Sequence, residues 1–340
     1  MSEQPRAPAI GSSSGDAARD RAHNDRPPSL VVGATGAFGA AVVERLLEKG
    51  RPVRALVRNT SRAVKRFGTH TQAELHEGDV FDPERLLNAA RGCGVIHHAV
   101  SFPMSQWEPG ARIALENVLS VARQVGATVV FPGNVWVYGP TGGRRVDEST
   151  PYNPVSRKGR IRVELEGMIR ESAERGDCRA LIVRAGDFFG PTVRNPYHDG
   201  IFRSASSGKA MMALGSLDAP HQWAYVPDLA RACVKLADAM EKLTPFEIFH
   251  FAGHEFERQQ AFYDHVKVCA GDGSRKARVM PWLAVRSASV FNKEMREVLE
   301  LRYLWDEGVL MDDSRLRRLW PAFEPTDIDS AIARTLSSGR

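Results

Sequence analysis

The chain has 340 residues, of which 43% are hydrophobic and 26% are charged, and its formal net charge is +5. These proportions are ordinary for a soluble globular protein with a substantial core. Lys and Arg are scattered without a long basic run or a basic–aromatic stripe, so we expect no nucleic-acid partner.

The cysteines and the hydropathy narrow the class of protein further. Four cysteines lie far apart, and no Cys-x-x-Cys pair suggests a zinc site or a dithiol. Reduced thiols in a cytoplasmic protein are the simplest interpretation. No run of eighteen apolar residues is present, so we expect no membrane span and no membrane partner.

The first 28 residues are rich in Ser, Ala, Pro and charged side chains, and they lack the apolar centre of a signal peptide. We predict a disordered tail over residues 1–28.

From Ser29 onward, apolar β-branched runs alternate with segments of helical periodicity. The predicted strands cover residues 29–32, 52–57, 73–78, 94–100, 128–133, 179–186 and 246–253. Strands alternating with helices of ten to fifteen residues predict an α/β fold with a doubly wound parallel Rossmann sheet.

Beyond residue 190 the alternation weakens. We predict a dinucleotide-binding core over residues 29–190, to which residues 224–253 return. Residues 191–223 and 254–340 are predicted to form a small, mostly helical substrate-binding cap over the carboxyl edge of the sheet.

Three glycines, Gly33, Gly36 and Gly39, lie between the first strand and the first helix. In such a turn the first glycine permits the tight bend, the second lets the backbone approach a pyrophosphate, and the third lets helix and strand pack closely. The phosphates then face a helix N-terminus, which favours negative charge. The other predicted cofactor contacts in this turn are Thr35, Ala37 and Phe38.

The second predicted strand ends at Arg58, with Arg62, Lys65 and Arg66 nearby. A guanidinium can pair with the 2′-phosphate of NADP, whereas an acidic residue there would favour NAD. We therefore favour NADP over NAD, although a solvated basic face would leave the preference open.

Several segments, in order, resemble the extended short-chain dehydrogenase/reductase family of epimerases, dehydratases and reductases. They read VVGATGAFG, EGDVFD, VIHHAV, VVFPGNVWVYGP, LIVRAGDFFGP, WAYVPDLARA and FHFAGHE, and they cover about residues 29–270. The resemblance implies that Asp79 and Val80 lie near the adenine and that Ala99 and Val100 lie beside the cofactor. It also implies hydride transfer at a carbonyl or hydroxyl carbon of a small or sugar-type substrate.

The chemistry of that family resides in a Ser, a Tyr and a Lys. Counting back from Gly139 places the Ser position at Asn134. The Glu of the family pattern Y-x-x-x-K-x-x-x-E is Glu164, so the Tyr position is Ser156 and the Lys position is Arg160. All three residues differ from the family, so the resemblance implies an atypical site.

The replacements retain part of the chemistry. Arg160 can hydrogen-bond ribose hydroxyls, and Asn134 can donate to a carbonyl or an oxyanion. Ser156 is a poor acid without a partner base. Lys158 lies about 200° around the helix from Arg160, so we expect it to face away from the site.

Tyr152 is the predicted substitute proton donor, because it precedes this helix by a few residues. Tyr138, His98 and Asp187 are alternatives, each of which also has a structural interpretation as a packing, buried or turn residue. His250 and His254 span a strand and a turn rather than one helix face, so we predict no metal site.

Two functions follow from these patterns. The first is an atypical NAD(P)-dependent reductase or epimerase. The second is an NmrA-like dinucleotide-sensing regulatory protein without turnover. By analogy with the family, we expect a homodimer that pairs through helices near residues 107–125 and 155–175.

Overall fold

The structure is a computed structural model that describes residues 26–68, 70–103, 107–271 and 276–339. Residues 1–25 of the predicted tail lie outside the described residues. The last three residues of that tail are described, and two of them bond to the folded chain. The carbonyl of Pro28 accepts the N–H of Gly94 at 3.1 Å, and Arg26 forms an ion pair with Asp238 at 2.7 Å.

The strands and helices follow one another along the chain with short connections. The strands are β1 (Ser29–Val32), β2 (Val53–Val57), β3 (Ala73–Glu77), β4 (Val95–His98), β5 (Thr128–Asn134), β6 (Ala180–Ala185), β7 (Asp187–Phe189), β8 (Met212–Ala213), β9 (His221–Tyr225), β10 (Phe246–Phe251), β11 (His254–Phe256) and β12 (Arg278–Val279). The α-helices are α1 (Ala37–Glu48), α2 (Thr60–Phe67), α3 (Pro83–Ala90), α4 (Trp107–Val125), α5 (Arg157–Glu174), α6 (Pro196–Ser206), α7 (Val226–Ala239), α8 (Gln260–Cys269), α9 (Trp282–Ser289), α10 (Lys293–Glu300), α11 (Tyr303–Asp306), α12 (Ser314–Leu319) and α13 (Ile328–Ser338).

Seven of these strands form one parallel sheet in the order β10-β6-β5-β4-β1-β2-β3. The predicted doubly wound Rossmann sheet is therefore confirmed. The strand order reverses between β1 and β4, and ligands of open α/β sheets bind outside the carboxyl ends of the strands at such a reversal.

Helices cover both faces of the sheet, which explains why β1 is buried along its whole length and shows no polar alternation. Helices α1 and α7 pack on one face, and α3, α4 and α5 pack on the other. Helix α3 begins as its sequence predicts, because the side chain of Asp82 accepts the N–H of Arg85 at 3.0 Å and Pro83 occupies the first turn.

The remaining strands build two small sheets beside the carboxyl edge, one ordered β11-β9-β7 and one pairing β12 with β8. This region is thus less purely helical than the predicted cap. A segment near the end of the chain also contributes to the core, because Leu316 and Phe323 pack into the hydrophobic cluster that contains β10. No helix within the described ranges is long and apolar enough to cross a bilayer.

Helices α4 and α5, which are expected to pair in a homodimer, lie side by side. Charged side chains cross between them, with Arg112 bonded to both Glu116 and Glu164. Their pairing with a second copy of the chain stays a prediction.

We predict that Gly33→Ala destabilises the cofactor-free protein by at least about 2 kcal/mol more than Gly92→Ala does. Both glycines have positive φ, +83° and +75°, so both substitutions carry the left-handed backbone penalty. A Cβ at Gly33 would lie 2.7 Å from the Ala99 carbonyl oxygen, whereas no described atom lies within 4 Å of one at Gly92. Urea unfolding of both variants measures the difference, and equal losses would contradict the steric argument.

Candidate active site

The glycine turn joins β1 to α1 at the point where the strand order reverses. Gly33 abuts the backbone of Ala99, and a Cβ at Gly39 would lie 2.3 Å from the carbonyl oxygen of Gly33. Both positions therefore need glycine. Ala99 and Val100 follow β4 and border the turn, and the N–H of Ala99 donates to the carbonyl of Val32 at 2.9 Å.

The N-terminus of α1 is open to an anion. Gly36 is the N-cap residue, no side chain caps the helix, and the first turn holds no acidic residue. Phe38 packs into the core and the carbonyl of Ala37 accepts the hydroxyl of Thr192 at 2.7 Å, so this turn offers a ligand mainly backbone N–H groups. A glycine cradle and an uncapped helix start fit the phosphates of a dinucleotide.

A cavity of about 270 Å³ lies at the carboxyl ends of β2 and β3, where the resemblance places the adenosine. It is lined by Arg58, Glu77, Gly78, Asp79, Asp82 and Arg85. The structure thus brings the predicted Arg58 and Asp79 to one wall, and Val80 is buried beside them. Because the cavity carries both signs of charge, its electrostatics alone do not select between NAD and NADP.

Asn134 ends β5 and caps the short 3₁₀ turn 135–137. Its Oδ1 accepts the N–H of Trp136 at 3.1 Å, and its carbonyl oxygen accepts from Arg184 at 2.5 Å. No described residue accepts a hydrogen bond from its Nδ2 group. This amide is therefore available as a donor at the end of a central strand.

The structure does not bring Ser156 and Arg160 into this site. Ser156 is the N-cap of α5, and its buried hydroxyl accepts the N–H of Gly159 at 3.0 Å. Arg160 lies on the exposed face of the helix, where its guanidinium donates to the carbonyl of Val155 at 3.2 Å. Ser156 is engaged as the helix cap, and Arg160 points away from the core. The expectation that both residues lie together in the site is therefore corrected.

Lys158 and Arg162 occupy the inner face of α5 instead, so the expectation that Lys158 faces away is wrong. The Lys158 side chain is only 2% exposed, forms an ion pair with Glu297 at 2.8 Å, and places Nζ 5.5 Å from the centre of the Trp107 ring. The Arg162 guanidinium lies 4.7 Å from the same ring and donates to the carbonyl of Pro132 at 3.2 Å. Its Nε is buried without a described partner.

A signal for this inner pair was present in the sequence. If the family pattern Y-x-x-x-K-x-x-x-E ends at Glu166 rather than at Glu164, its first two positions fall on Lys158 and Arg162. The structure favours this register, because Glu166 is buried whereas Glu164 is exposed. Removal from water lowers the pKa of Arg162 to about 10, with Glu166 opposing the shift and Arg184 adding to it.

Behind this pair lies a buried ion pair between Arg184 of β6 and Glu166 of α5. The two guanidinium nitrogens contact the two carboxylate oxygens at 2.9 and 2.7 Å, and burial of both side chains is almost complete. Tyr152 closes the network, since its hydroxyl donates to Glu166 at 2.6 Å and accepts from Arg184 at 2.8 Å. Burial raises the pKa of Tyr152 well above its usual value.

This network corrects the choice of Tyr152 as the proton donor, because its hydroxyl is occupied on both sides and its pKa is raised. The Tyr138 hydroxyl is likewise engaged in a hydrogen bond. It lies 2.7 Å from Nε2 of His250, and burial raises its pKa to about 12. His98 stacks on Phe131, and burial with the charge of Arg162 lowers its pKa to about 3.

Asp187 follows β6 at the open edge and binds two elements of the cap. Its Oδ2 lies 3.1 Å from Nε2 of His221 and accepts the indole N–H of Trp305 at 2.7 Å. Burial raises the pKa of Asp187, but the bond and charge of His221 and the bond of Trp305 outweigh it, so the pKa is lowered overall. Asp187 therefore remains a carboxylate that ties β9 and α11 to the core.

Helix α10 covers the start of α5 through two carboxylates. Glu297 pairs with Lys158, and Glu300 accepts the backbone N–H of Arg157 at 2.8 Å. The second contact places negative charge at the N-terminus of α5, where the helix dipole favours it. The inner face of α5 is thus closed from the C-terminal side of the chain.

A parallel sheet with a glycine turn at its reversal point defines a Rossmann-type protein. Residues 29–252 match the model of the NAD dependent epimerase/dehydratase family, and the chain belongs to that family.

Relatives of known sequence include an uncharacterised protein and a reductase. The y4nG protein of Sinorhizobium fredii is 25% identical over 256 residues, which are 73% of this chain and 61% of that protein. The chain therefore spans less than two thirds of the length of y4nG. A 3-diazoavenalumate denitrifying reductase of a Streptomyces species is 27% identical over 229 residues, which are 62% of this chain and 72% of the reductase.

Solved structures share the fold at low identity. The Bordetella bronchiseptica enzyme WbmH in complex with NAD+ superimposes with a TM-score of 0.69 at 20% identity, covering 92% of this chain and 98% of that one. The UDP-glucuronic acid 4-epimerase of Bacillus cereus in complex with NAD gives 0.72 at 14% identity and the same coverage. Nothing in these matches favours the NmrA-like regulatory alternative.

We predict that Glu166→Gln lowers the free energy of unfolding by about 3–5 kcal/mol, because Arg184 would keep a buried charge without its counter-charge. The matched control is Glu44→Gln, which breaks the exposed ion pair of Glu44 with Arg66. That substitution should cost about 1 kcal/mol or less. Chemical denaturation of both variants gives the comparison, and similar losses would show that the buried pair contributes no more than a surface pair.

Proposed function

We propose that the protein is an NAD(P)-dependent reductase or epimerase that transfers hydride at a carbonyl or hydroxyl carbon of a small or sugar-type substrate. The observation that carries this proposal is that Lys158 and Arg162 are held on the inner side of α5 over the Trp107 ring, and that Arg162 bonds to β5 two residues before Asn134. The reductase among the relatives supports hydride chemistry, and the matched family supports a nicotinamide cofactor.

The nicotinamide cofactor, when bound, supplies or accepts the hydride. The backbone of the turn at Gly33, Gly36 and Gly39 would hold its phosphates, and Ala99 and Val100 would border it. By the register that ends at Glu166, Arg162 takes the position of the ribose-holding lysine in the family. Its guanidinium stays cationic at working pH and can donate to ribose hydroxyls.

Lys158 takes the position of the family tyrosine, and we assign it the proton transfer. In water an ammonium group is about as acidic as a phenol, so it can donate a proton to a substrate oxygen during reduction and recover it in the reverse direction. A cation next to a developing alkoxide also stabilises the negative charge. The Nδ2 group of Asn134 can polarise the same oxygen as a hydrogen-bond donor.

The buried ammonium of Lys158 needs a counter-charge before substrate binds, and Glu297 supplies it. The ion pair at 2.8 Å and the neighbouring Trp107 ring hold the ammonium without water. The substrate oxygen must take over this contact, so α10 has to yield when substrate binds.

The cofactor preference belongs to the same proposal. Arg58 lines the adenosine cavity and can pair with a 2′-phosphate, so we propose NADP as the preferred form. Asp79 and Asp82 on the same wall would be screened by this guanidinium.

We predict that Arg58→Ala weakens NADPH binding roughly tenfold, through loss of a charge-assisted hydrogen bond, and changes NADH binding much less. The control is Arg160→Ala, which removes an exposed guanidinium and should leave both affinities unchanged. Titration followed by nicotinamide fluorescence measures all three proteins. Equal NADPH and NADH affinities for the wild type would contradict the NADP preference. If Arg160→Ala weakened nucleotide binding, Arg160 would again be the candidate that holds the ribose.

We predict that Lys158→Met abolishes NADPH oxidation while NADPH binding persists, because methionine keeps much of the side-chain volume and cannot transfer a proton. Lys158→Tyr should recover part of the activity if the position is catalytic, since it restores the acid of the family. The assay follows NADPH oxidation with a panel of aromatic aldehydes, α-diketones and 3-oxo esters.

Arg160→Ala serves again as the matched control and should retain wild-type turnover. Unchanged turnover in Lys158→Met would remove Lys158 from the reaction. Tight NADPH binding by the wild type without oxidation across the panel would contradict the reductase proposal and leave redox-neutral epimerisation.

A further inference from the structure

Helices α9 and α10 form a hairpin whose outer side exposes large apolar residues. Phe291 at its tip is 94% exposed, Leu283 is 78% exposed and Val290 is 65% exposed. Leu283 and Val290 are seven residues apart along α9 and its end, so they lie on the same face. Apolar side chains grouped in this way on a surface indicate an interaction site rather than scattered exposure.

Basic residues lie on the hairpin and in the segment that leads to it, and Arg296 donates to the carbonyls of Ser289 and Val290 beside the tip. Residues 276–296 contain five Lys or Arg residues and one acidic residue, a net charge of +4. The basic residues are Lys276, Arg278, Arg286, Lys293 and Arg296, and all of them are exposed. Arg286 and Lys293 form no ion pair with any residue in the described ranges. The surface around the tip therefore attracts anions.

The other side of the hairpin is already occupied by the protein. Glu297 and Glu300 bind the start of α5, and Trp282 and Val298 pack against the cluster around residues 135–138. Acidic and packed apolar side chains thus face the core, whereas basic and exposed apolar side chains face outward. This segregation leaves the outer side available for a partner.

We propose that the hairpin tip is a peripheral contact site for an anionic lipid surface. Apolar side chains that enter the headgroup region, surrounded by Lys and Arg, are the combination that binds such surfaces, and each basic residue near the surface adds to the attraction. A second copy of the chain fits less well, because both faces would carry the same positive charge. The contact is peripheral, and it departs from the sequence-based expectation of no membrane partner, which rested on the lack of a spanning segment.

The test is sedimentation of the full chain with vesicles of phosphatidylcholine alone and of equal parts phosphatidylcholine and phosphatidylglycerol. We expect binding to the mixed vesicles and little binding to phosphatidylcholine. Phe291→Ser should lower the partition coefficient roughly tenfold, because the ring no longer leaves water. Lys293→Glu should lower it as well, and added salt should weaken binding.

Val268→Ser is the matched control, because Val268 is 71% exposed on α8, outside the hairpin. It should bind like the wild type, and circular dichroism should show that all variants fold. The proposal is overturned if the wild type does not sediment with the mixed vesicles, if it binds phosphatidylcholine equally, or if Val268→Ser loses as much binding as Phe291→Ser. Binding to poly-glutamate without binding to vesicles would also overturn it, in favour of an acidic protein partner.

Discussion

The arrangement of the site depends on the buried ion pair between Arg184 and Glu166. It joins β6 to α5, and the same guanidinium binds the carbonyl of Asn134 at the end of β5. A buried ion pair tolerates little displacement, because moving one partner leaves the other as an uncompensated buried charge. The pair therefore sets the rotation of α5 about its own axis. This rotation places Arg162 one turn and Lys158 two turns before Glu166 on the same side of the helix.

Much of the core could be predicted from sequence because its determinants are local. The strands are apolar runs that helices bury on both faces, and their limits follow from the run lengths. The glycine turn is governed by short-range sterics, as the close approach of Gly33 to Ala99 shows. Asp82 and Pro83 mark the start of α3 by capping chemistry that operates within one turn.

The inner face of α5 could not be predicted as reliably, because the rotation of the helix is set by tertiary contacts. Glu164 and Glu166 are two residues apart, and only the partner on β6 distinguishes the buried one from the exposed one. The strong preference of serine for an N-cap was the missed local signal, since it places Ser156 before the helix. The raised pKa of Tyr152 likewise comes first from tertiary burial, to which the Glu166 charge adds and which the Arg184 charge opposes.

In the role proposed for Lys158, its contact with Glu297 means that the protein carries its own competitor for the ligand. A carboxylate tethered on α10 has a high effective concentration, because it is already positioned when the helix packs. Any ligand group that binds Lys158 must displace it, so the measured affinity is the intrinsic affinity reduced by the free energy of opening this contact. The contact thus lowers the affinity for every ligand of Lys158 by the same factor.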